Sequence, residues 1–350
     1  MSATDNFSKT YQIPFTGDYD LYRAELEHFD EENHSIKKGE NKRELPKRRN
    51  YVVIKRILPR EDEQEEQVFY TEVKMLDTCK HPNIVKLLGL CVEGSEMILV
   101  IEHLSNGYLL DGLLNTGIRH TLTWVKRLRI CLDVANALNY IHIHSQMGGK
   151  IRYNIKSAYI GLDENWDAKV IEFGLSGFWN QVDQGLHPTR DHIYHTHINH
   201  SVPYDPEYSM TGMFKRETTV YSFGVLLFEV LCGSEWSISR YFKKVEEGPI
   251  SFVSGRRFQD GTISMEKIDS YETLLMEMID PILKKESGEN NFIFKRKPNK
   301  DSLQMFVEIA HKCIAETQER RPTLEMVIQE LQKALSFEVT LLITILLSLN

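Results

Sequence analysis

The sequence predicts an α+β fold with two lobes, in which a small, strand-rich lobe precedes a larger, mainly helical lobe. Residues 11–104 contain five strand-like runs and one helical pattern, whereas helical patterns dominate residues 105–337. Of the 350 residues, 41% are hydrophobic and 26% are charged, which is an ordinary globular balance and excludes disorder across the whole chain. The length suffices for one two-lobed domain or for two ordinary ones.

The small lobe is predicted to open with two short strands in residues 11–26, joined by a turn near Gly17 and Asp18. Residues 27–50 are polar and charged and show no core-facing period, so we expect a solvated loop there. An alternative is that its basic part, residues 37–49, contacts an acidic partner or lipid headgroups.

A β-branched strand at 51–58 and a helix at 61–78 are predicted next. Acidic residues crowd the first turn of this helix, where the helix dipole favours negative charge. Two further strands are expected at 84–93 and 96–104. The buried stripe of the helix is expected to consist of Phe69, Val73 and Leu76.

The large lobe is predicted to begin with a long amphipathic helix at 123–145. A second helix, at 220–233, is almost uniformly apolar and too short to span a membrane, so we expect it in the core. Helices at 301–314, with Asp301 as the N-cap, and at 322–335 close the lobe. One face of the first helix carries Trp124, Leu128, Cys131, Ala135 and Leu138.

Short strand-like pieces at 151–173 lead into a helix-poor segment, residues 174–204, which is rich in histidine. Histidine is a common ligand of zinc and copper, so a metal site is one interpretation. The spacing matches no closed structural site and no cysteine lies nearby, which favours a solvated loop. The histidines are His187, His192, His195, His197 and His200.

The cellular location of the protein can be inferred from the N-terminal residues and the cysteines. The first ten residues lack the apolar run of a signal peptide, and five scattered cysteines fit a reducing compartment, so we expect a cytoplasmic protein. A net charge of −8 gives no reason to expect nucleic-acid binding.

Residues 339–349 form an apolar run, shorter than the ~20 residues that span a bilayer. This run is either a helix extension that packs or frays, or a contact with a partner or with the plasma-membrane surface.

Several motifs, taken in order, resemble those of a protein kinase. They are VVIK (52–55), TEVKML with HPNIVKLLG (71–76 and 81–89), EFG (172–174), DPEY (205–208), VYSFGVLLFEVLCG (220–233) and RRPT (320–323). ATDNFS near the start, SNGYL and DPEY are similar to plant receptor-like and receptor-like cytoplasmic kinases, especially the malectin-type receptor kinase group. The resemblance covers residues 5–337. It implies a two-lobed protein kinase fold with an N-lobe at 11–104, a C-lobe at 105–337, a lead-in at 1–10 and a tail at 338–350.

The resemblance implies how the small lobe would meet ATP. Lys55 would reach the nucleotide phosphates and Glu72 would hold Lys55 in place, although the same pair could be purely structural. Ile101, Glu102 and Leu104, at the end of the last small-lobe strand, would belong to the nucleotide site.

The Gly-rich loop of the family pattern is eroded in FTGDYDLY, residues 15–22. Glycine lets backbone amides approach phosphates without a Cβ in the way, and only Gly17 survives. Phe15 and Tyr19 stand where the first and third glycines would be, and Asp18 places a carboxylate near the expected phosphates. The bulk of Phe15 and Tyr19 and the negative charge of Asp18 both oppose tight ATP binding.

The catalytic-loop pattern H-R-D-x-x-x-x-N aligns with RYNIKSAY, residues 152–159. Asn154 replaces the catalytic base, and an amide cannot accept a proton at neutral pH. A positioned base is typically worth ~10²–10⁴-fold in rate. Tyr159 replaces the magnesium-binding Asn, and a phenol is a poor ligand for that ion. Lys156 matches the family's loop Lys and would still meet a phosphate, whereas Tyr153 removes the Arg that grips a phosphorylated activation loop.

Glu172 replaces the magnesium-binding Asp and keeps its charge on a longer side chain. Because a misplacement near 1 Å can cost ~10² in rate, its use as a metal ligand would be impaired. Glu172 is nevertheless the best remaining metal ligand, and the alternative is a carboxylate that pairs with Lys55.

Two large-lobe anchors follow from the resemblance. Glu207 and Arg321 are expected to form a buried ion pair that ties the activation segment to the late helices. Thr219 stands where the family has an Asp that braces the catalytic-loop backbone, so a less precise loop is expected.

These substitutions predict a pseudokinase that acts as an adaptor or allosteric partner in plant-type receptor kinase signalling. Its partners would be signalling proteins such as receptor-like kinases or immune receptors. The alternative is a weak or atypical serine/threonine kinase, in which Lys55, Glu72, Lys156 and Glu172 hold ATP with one Mg²⁺. A third interpretation is a switch that binds nucleotide without transferring phosphate.

Overall fold

The chain is described by a computed structural model for residues 2–14, 19–29, 47–57, 64–144, 154–172, 205–211, 215–234, 278–284 and 297–348. Contacts divide the chain into two compact units. The first comprises Met1–Lys80 with Ile84–Ser105, and the second comprises His81–Asn83 with Asn106–Asn350. The first unit is strand-rich and the second is mainly helical, so the α+β prediction is confirmed.

The first unit is built on an antiparallel five-stranded sheet with the strand order β1-β2-β3-β5-β4. Helix α1 (Gln64–Thr78) contacts β4 and β5. The strands are β1 (Gln12–Ile13), β2 (Asp20–Phe29), β3 (Lys47–Ile57), β4 (Leu87–Glu93) and β5 (Glu96–Glu102).

Residues 27–29 and 47–50, which were predicted to belong to a loop at 27–50, belong instead to β2 and β3. Glu27 pairs with Arg49 across the two strands, and Arg49 Nε lies 3.1 Å from Glu27 Oε1. Opposite charges that face each other across an antiparallel pair stabilise the ladder, which explains how charged residues can extend these strands. Residues 30–46 lie outside the described part of the chain.

The two faces of the sheet have different roles. On one face Tyr22 and Ile54 are buried in a small apolar cluster. The other face carries Lys55, which pairs with Leu21 of β2 and Leu99 of β5. In α1, Phe69 and Leu76 are buried as predicted, whereas Val73 is only partly buried and Met75 is buried instead.

The described residues of the second unit are mainly helical, and β6 (Ile160–Leu162) and β7 (Ala168–Val170) form a short hairpin. Its helices are α2 (Leu109–Leu114), α3 (Thr116–Arg119), α4 (Trp124–His144), α5 (Pro206–Thr211), α6 (Arg216–Cys232), α7 (Pro281–Lys284), α8 (Lys300–Cys313) and α9 (Leu324–Ser348).

The core of the second unit is formed where α4 and α6 meet α8 and α9. All five residues of the predicted α4 face are buried, and α6 is buried from Thr218 to Leu231, as its uniform apolarity predicts. The N-cap of α8 is Asn299 and not the predicted Asp301. Asn299 Oδ1 accepts hydrogen bonds from the N–H groups of Asp301 and Ser302, so Asp301 belongs to the first turn.

The last helix, α9, is longer than the predicted helix at 322–335, because it continues without interruption to Ser348. The helix extension that was one interpretation of the apolar run at 339–349 is therefore present as far as Ser348. None of the helices among the described residues combines the length and apolar character that a membrane crossing requires.

Candidate functional site

The predicted Lys55–Glu72 ion pair is present in the first unit. Lys55 Nζ donates a hydrogen bond to Glu72 Oε2 over 2.6 Å, from β3 to α1. The two side chains are 2% and 1% exposed. A charged pair buried to this degree is strongly coupled, since either partner alone would be an uncompensated buried charge.

An aromatic ring also covers the ammonium group of Lys55. Tyr19, just before β2, places its ring centroid 3.7 Å from Lys55 Nζ, which is a close cation–π contact. The Lys55 ammonium group is therefore in contact with both a carboxylate and an aromatic ring. Gly17, Phe15 and Asp18, the other residues singled out in the Gly-rich loop, lie outside the described residues.

The predicted nucleotide-site residues at the end of β5 are held by the sheet. The side chains of Ile101 and Leu104 are buried. Glu102 Oε1 accepts the N–H of Lys86 at 2.8 Å, and the N–H of Glu102 donates to the Lys86 carbonyl at 3.1 Å. The N–H and one carboxylate oxygen of Glu102 are therefore already engaged within the first unit.

In the second unit, α6 holds the backbone of the catalytic loop at two points. The N–H of Ile155 donates to Ser222 Oγ at 3.2 Å, and the N–H of Ser157 donates to Glu229 Oε2 at 3.1 Å. Ser222 and Glu229 are both buried in α6. Asn154, at the position of the catalytic base, is exposed. Two buried side chains of α6 thus hold the backbone of the loop that carries Asn154.

Thr219 does not brace the described part of the loop, in agreement with the loss of the acid. Its side chain is fully buried, and its hydroxyl has no hydrogen-bond partner among the described residues. Ser222, in the next turn of α6, holds the N–H of Ile155, and its hydroxyl also donates to the Thr219 carbonyl at 2.9 Å. The contacts of Ser222 and Glu229 with the described loop residues were not identified by the sequence analysis. Tyr153 lies outside the described residues.

Tyr159 and Glu172, at the two positions assigned to magnesium, lie on backbone segments that a hydrogen bond joins. The N–H of Ile171, which precedes Glu172, donates to the carbonyl of Tyr159 at 3.0 Å. Lys156 Nζ lies 5.9 Å from the centroid of the Tyr159 ring. Glu172 is 2% exposed. Burial raises the pKa of Tyr108 above its usual range, and the nearby carboxylates of Asp111 and Glu172 raise it further.

The residues at these positions do not fit the usual magnesium site. Mg²⁺ prefers hard oxygen ligands in a tight octahedral arrangement. Here one position offers the Glu172 carboxylate and the other the half-buried phenol of Tyr159. Within the part of the chain that the structure describes, no three His, Cys, Asp or Glu side chains are grouped to hold a metal ion. The five histidines of the 174–204 segment lie outside that part.

The predicted ion pair between Glu207 and Arg321 is wrong, because Arg321 pairs with Asp205. Arg321 Nη2 lies 2.6 Å from Asp205 Oδ1, and both side chains are almost completely buried. Glu207, in the first turn of α5, accepts the N–H of Gln318 at 2.8 Å and lies 3.5 Å from Lys215 Nζ. Asp205 directly precedes α5, and its side chain is buried at the N-terminal end of that helix. The Glu207 side chain is 26% exposed.

Several donors keep the Asp205 carboxylate charged. Burial alone would raise the pKa of Asp205, but hydrogen bonds from Arg321, Gln318 and Thr218 lower it to about 2. The Arg321 guanidinium also lies 4.9 Å from the centroid of the Tyr221 ring. This cluster, which we call the Arg321 anchor, consists of Asp205, Thr218, Tyr221, Gln318 and Arg321.

Sequence comparisons connect the chain with known proteins. A family model described as protein tyrosine and serine/threonine kinase matches residues 32–331. Three receptor-like protein kinases of Arabidopsis thaliana are similar: HERK 1 with 31% identity over 345 residues, ANXUR2 with 35% over 296, and THESEUS 1 with 34% over 294. The alignments cover 96%, 83% and 83% of this chain, but 34%, 30% and 30% of the three relatives. The chain therefore spans about a third of the length of these relatives.

Proposed function

Since the chain belongs to the family of protein tyrosine and serine/threonine kinases, we propose that it is a pseudokinase that binds other signalling proteins instead of transferring phosphate efficiently. The observation that carries the proposal is Asn154. It is exposed at the position of the catalytic base, on a loop that α6 still holds through Ser222 and Glu229. Phosphoryl transfer depends on positioning and on a group that accepts the proton of the attacking hydroxyl. An amide in that position cannot accept the proton.

Two further features support the proposal. The magnesium positions hold Glu172 and Tyr159, a set that does not suit the metal that neutralises phosphate charge. The ammonium of Lys55, which the family uses for phosphates, is already in contact with Glu72 and with the Tyr19 ring. The Glu72 contact would position Lys55 for phosphate, but ATP would have to displace the Tyr19 ring from the ammonium group.

The biological role that fits these features is that of an adaptor or allosteric partner in plant-type receptor kinase signalling. The similar proteins are named as receptor-like protein kinases, so receptor-like kinases and immune receptors are the partners we favour. We propose a cytoplasmic location, because all five cysteines are free thiols and such thiols persist in a reducing compartment.

A phosphotransfer assay tests the loss of catalysis. Purified chain is incubated with γ-labelled ATP, Mg²⁺ or Mn²⁺, and a generic protein substrate, beside a Lys55→Met variant. We expect the same background rate for both. A rate that disappears in the variant would overturn the proposal. Because Lys55→Met alone strands the buried carboxylate of Glu72, a Lys55→Met/Glu72→Met variant with a normal unfolding midpoint serves as the matched control.

A weak serine/threonine kinase is the second candidate, and the intact Lys55–Glu72 pair favours it. In that case Lys55 would reach the nucleotide phosphates and Glu72 would hold Lys55 in place, as in the family. A thermal-shift series with ATP separates the candidates. A Mg²⁺-dependent shift together with phosphotransfer identifies the kinase, and a Mg²⁺-independent shift without transfer identifies a nucleotide-binding switch. No shift at millimolar ATP identifies a pseudokinase that works without nucleotide.

A further inference from the structure

The end of α9 extends past the helix that packs against it. Helices α8 and α9 lie side by side and run in opposite directions. At the start of α8, Glu338 Oε1 accepts the N–H of Asn299 at 2.6 Å. The part of α9 after Glu338 therefore continues beyond the first turn of α8. Val339, the next residue, is 41% exposed.

This part of α9, residues 339–348, is here called the apolar tail. Its sequence is VTLLITILLS and contains no charged residue. Its three hydroxyl residues occupy positions 340, 344 and 348, which share one narrow face of a helix because they are four residues apart. Leucine, isoleucine and valine occupy the other seven positions and so surround the rest of the helix axis.

The distribution of apolar and hydroxyl residues around the apolar tail indicates whether a protein groove or lipid would surround the helix. A groove on a protein covers one face of a helix and favours a one-sided apolar stripe, whereas lipid surrounds the helix and favours an apolar circumference. Serine and threonine are tolerated in such surroundings, since their hydroxyls can bond to a backbone carbonyl one turn earlier. The pattern of the apolar tail is the one expected of a helix in lipid.

The length of the apolar tail determines how far it could reach. A helix of ten residues is about 15 Å long. The hydrocarbon core of a bilayer is about 30 Å thick. The apolar tail therefore matches the depth of one leaflet and is too short to cross both.

We propose that the apolar tail inserts into one leaflet of a lipid bilayer and holds the chain at a membrane surface through apolar contact. The apolar tail contains no Lys or Arg, so its binding does not require anionic lipid. Lys333, six residues before the apolar tail, is paired with Glu330 at 2.6 Å within α9. Zwitterionic lipid suffices for such a contact. This inference does not depend on whether the chain transfers phosphate.

Flotation with phosphatidylcholine vesicles tests the proposal on the full chain. We expect the wild-type chain to float with the vesicles, to the same extent at about 0.1 M and about 0.5 M salt, since apolar contact is not screened. Leu346→Asp places a charge within the apolar tail and is expected to lower the partition coefficient about tenfold or more. Met326→Asp is the matched control, because it adds the same charge at a 53% exposed position in the first turn of the same helix and is expected to float like the wild type.

Three outcomes would overturn the proposal. The wild-type chain stays with the lipid-free fraction, or Leu346→Asp floats as well as the wild type, or binding needs anionic lipid and is lost at high salt. The last outcome would point to the basic stretch at 37–49. Sedimentation without lipid provides a further test. A wild-type dimer that becomes monomeric in Leu346→Asp, with no flotation of either chain, would show that a second copy covers the apolar tail.

Discussion

The catalytic loop and the Arg321 anchor belong to the same helical unit, yet sequence change has affected them differently. In the anchor, charged groups are buried and each has a partner of opposite charge or a hydrogen bond, as the Asp205–Arg321 pair shows. In the catalytic loop, Ser222 and Glu229 hold the backbone, while the residues at the positions predicted for the base and a magnesium ligand are Asn154 and Tyr159.

This comparison indicates that the groups that hold the loop backbone differ from the side chains that would perform the chemistry. Asn154 is exposed, so the identity of its side chain contributes little to stability. Arg321 and Asp205 are buried, so loss of either one leaves an uncompensated charge. The proposed loss of catalysis is therefore compatible with a stable fold, because buried pairs such as Asp205–Arg321 stabilise the fold independently of Asn154.

The largest effect is expected from Arg321→Met, which strands the Asp205 carboxylate in the core. We expect the free energy of unfolding to fall by about 3–5 kcal/mol, measured by urea denaturation followed by circular dichroism. Asn154→Ala, at the catalytic loop, is expected to change it by less than about 0.5 kcal/mol.

Two control variants sharpen this prediction. Lys333→Met removes an exposed ion pair and is expected to cost less than about 1 kcal/mol. Glu207→Gln tests which acid is the partner of Arg321, since its amide oxygen can still accept the N–H of Gln318. A loss from Glu207→Gln as large as that from Arg321→Met would show that Glu207, and not Asp205, carries the anchor.

The pH dependence of stability is the next largest effect. The folded pKa of Asp205, about 2, lies below its ordinary value of 3.8, so its contribution is complete above about pH 4 and is lost as the pH falls toward 2. We expect the free energy of unfolding to lose about 2 kcal/mol from this group over that interval. The wild type minus Asp205→Asn difference isolates the contribution. Parallel profiles for wild type and Asp205→Asn would contradict the assignment.

Elements with strong periodicity could be predicted closely from sequence. Helix α4 was expected at 123–145 and spans Trp124–His144, with its whole predicted face buried. The choice between Asp205 and Glu207 could not be predicted in this way, because the two acids are two residues apart. Which one is buried depends on how α5 packs, a tertiary property that neither residue's type reveals.

The contacts that hold the catalytic loop had a signal that the sequence analysis did not use. Ser222 and Glu229 are polar residues inside the almost uniformly apolar stretch of α6. A polar group buried in such a helix requires a hydrogen-bond partner, so both residues could have been flagged as anchors. Their partners, the N–H groups of Ile155 and Ser157, could not have been identified without the fold.

A smaller effect is expected from Ser222→Ala, which leaves the N–H of Ile155 buried without its acceptor. We expect a loss of unfolding free energy on the order of 1 kcal/mol, together with faster amide hydrogen exchange at Ile155. Ser336→Ala, which removes an exposed hydroxyl in α9, is the matched control and should change neither quantity. Unchanged exchange at Ile155 in the Ser222 variant would mean that α6 does not fix the loop.

The smallest effect is expected at Tyr19, in the other unit. Tyr19→Gly removes the ring from the Lys55 ammonium, and a cation–π contact of this kind is worth ~0.5–1 kcal/mol. Affinity for ATP, measured by titration with a fluorescent analogue, should rise roughly two- to fivefold. Tyr19→Phe keeps the ring and should leave the affinity unchanged.

The same variant separates nucleotide binding from catalysis. Asn154 is untouched in Tyr19→Gly, and an amide at the base position still cannot accept the proton, so phosphotransfer should remain at background even where ATP binds better. If Tyr19→Gly gained measurable phosphotransfer, the ring over Lys55 would be the main block to activity. The low activity would then have to be explained by Tyr19 and not by Asn154 in the catalytic loop.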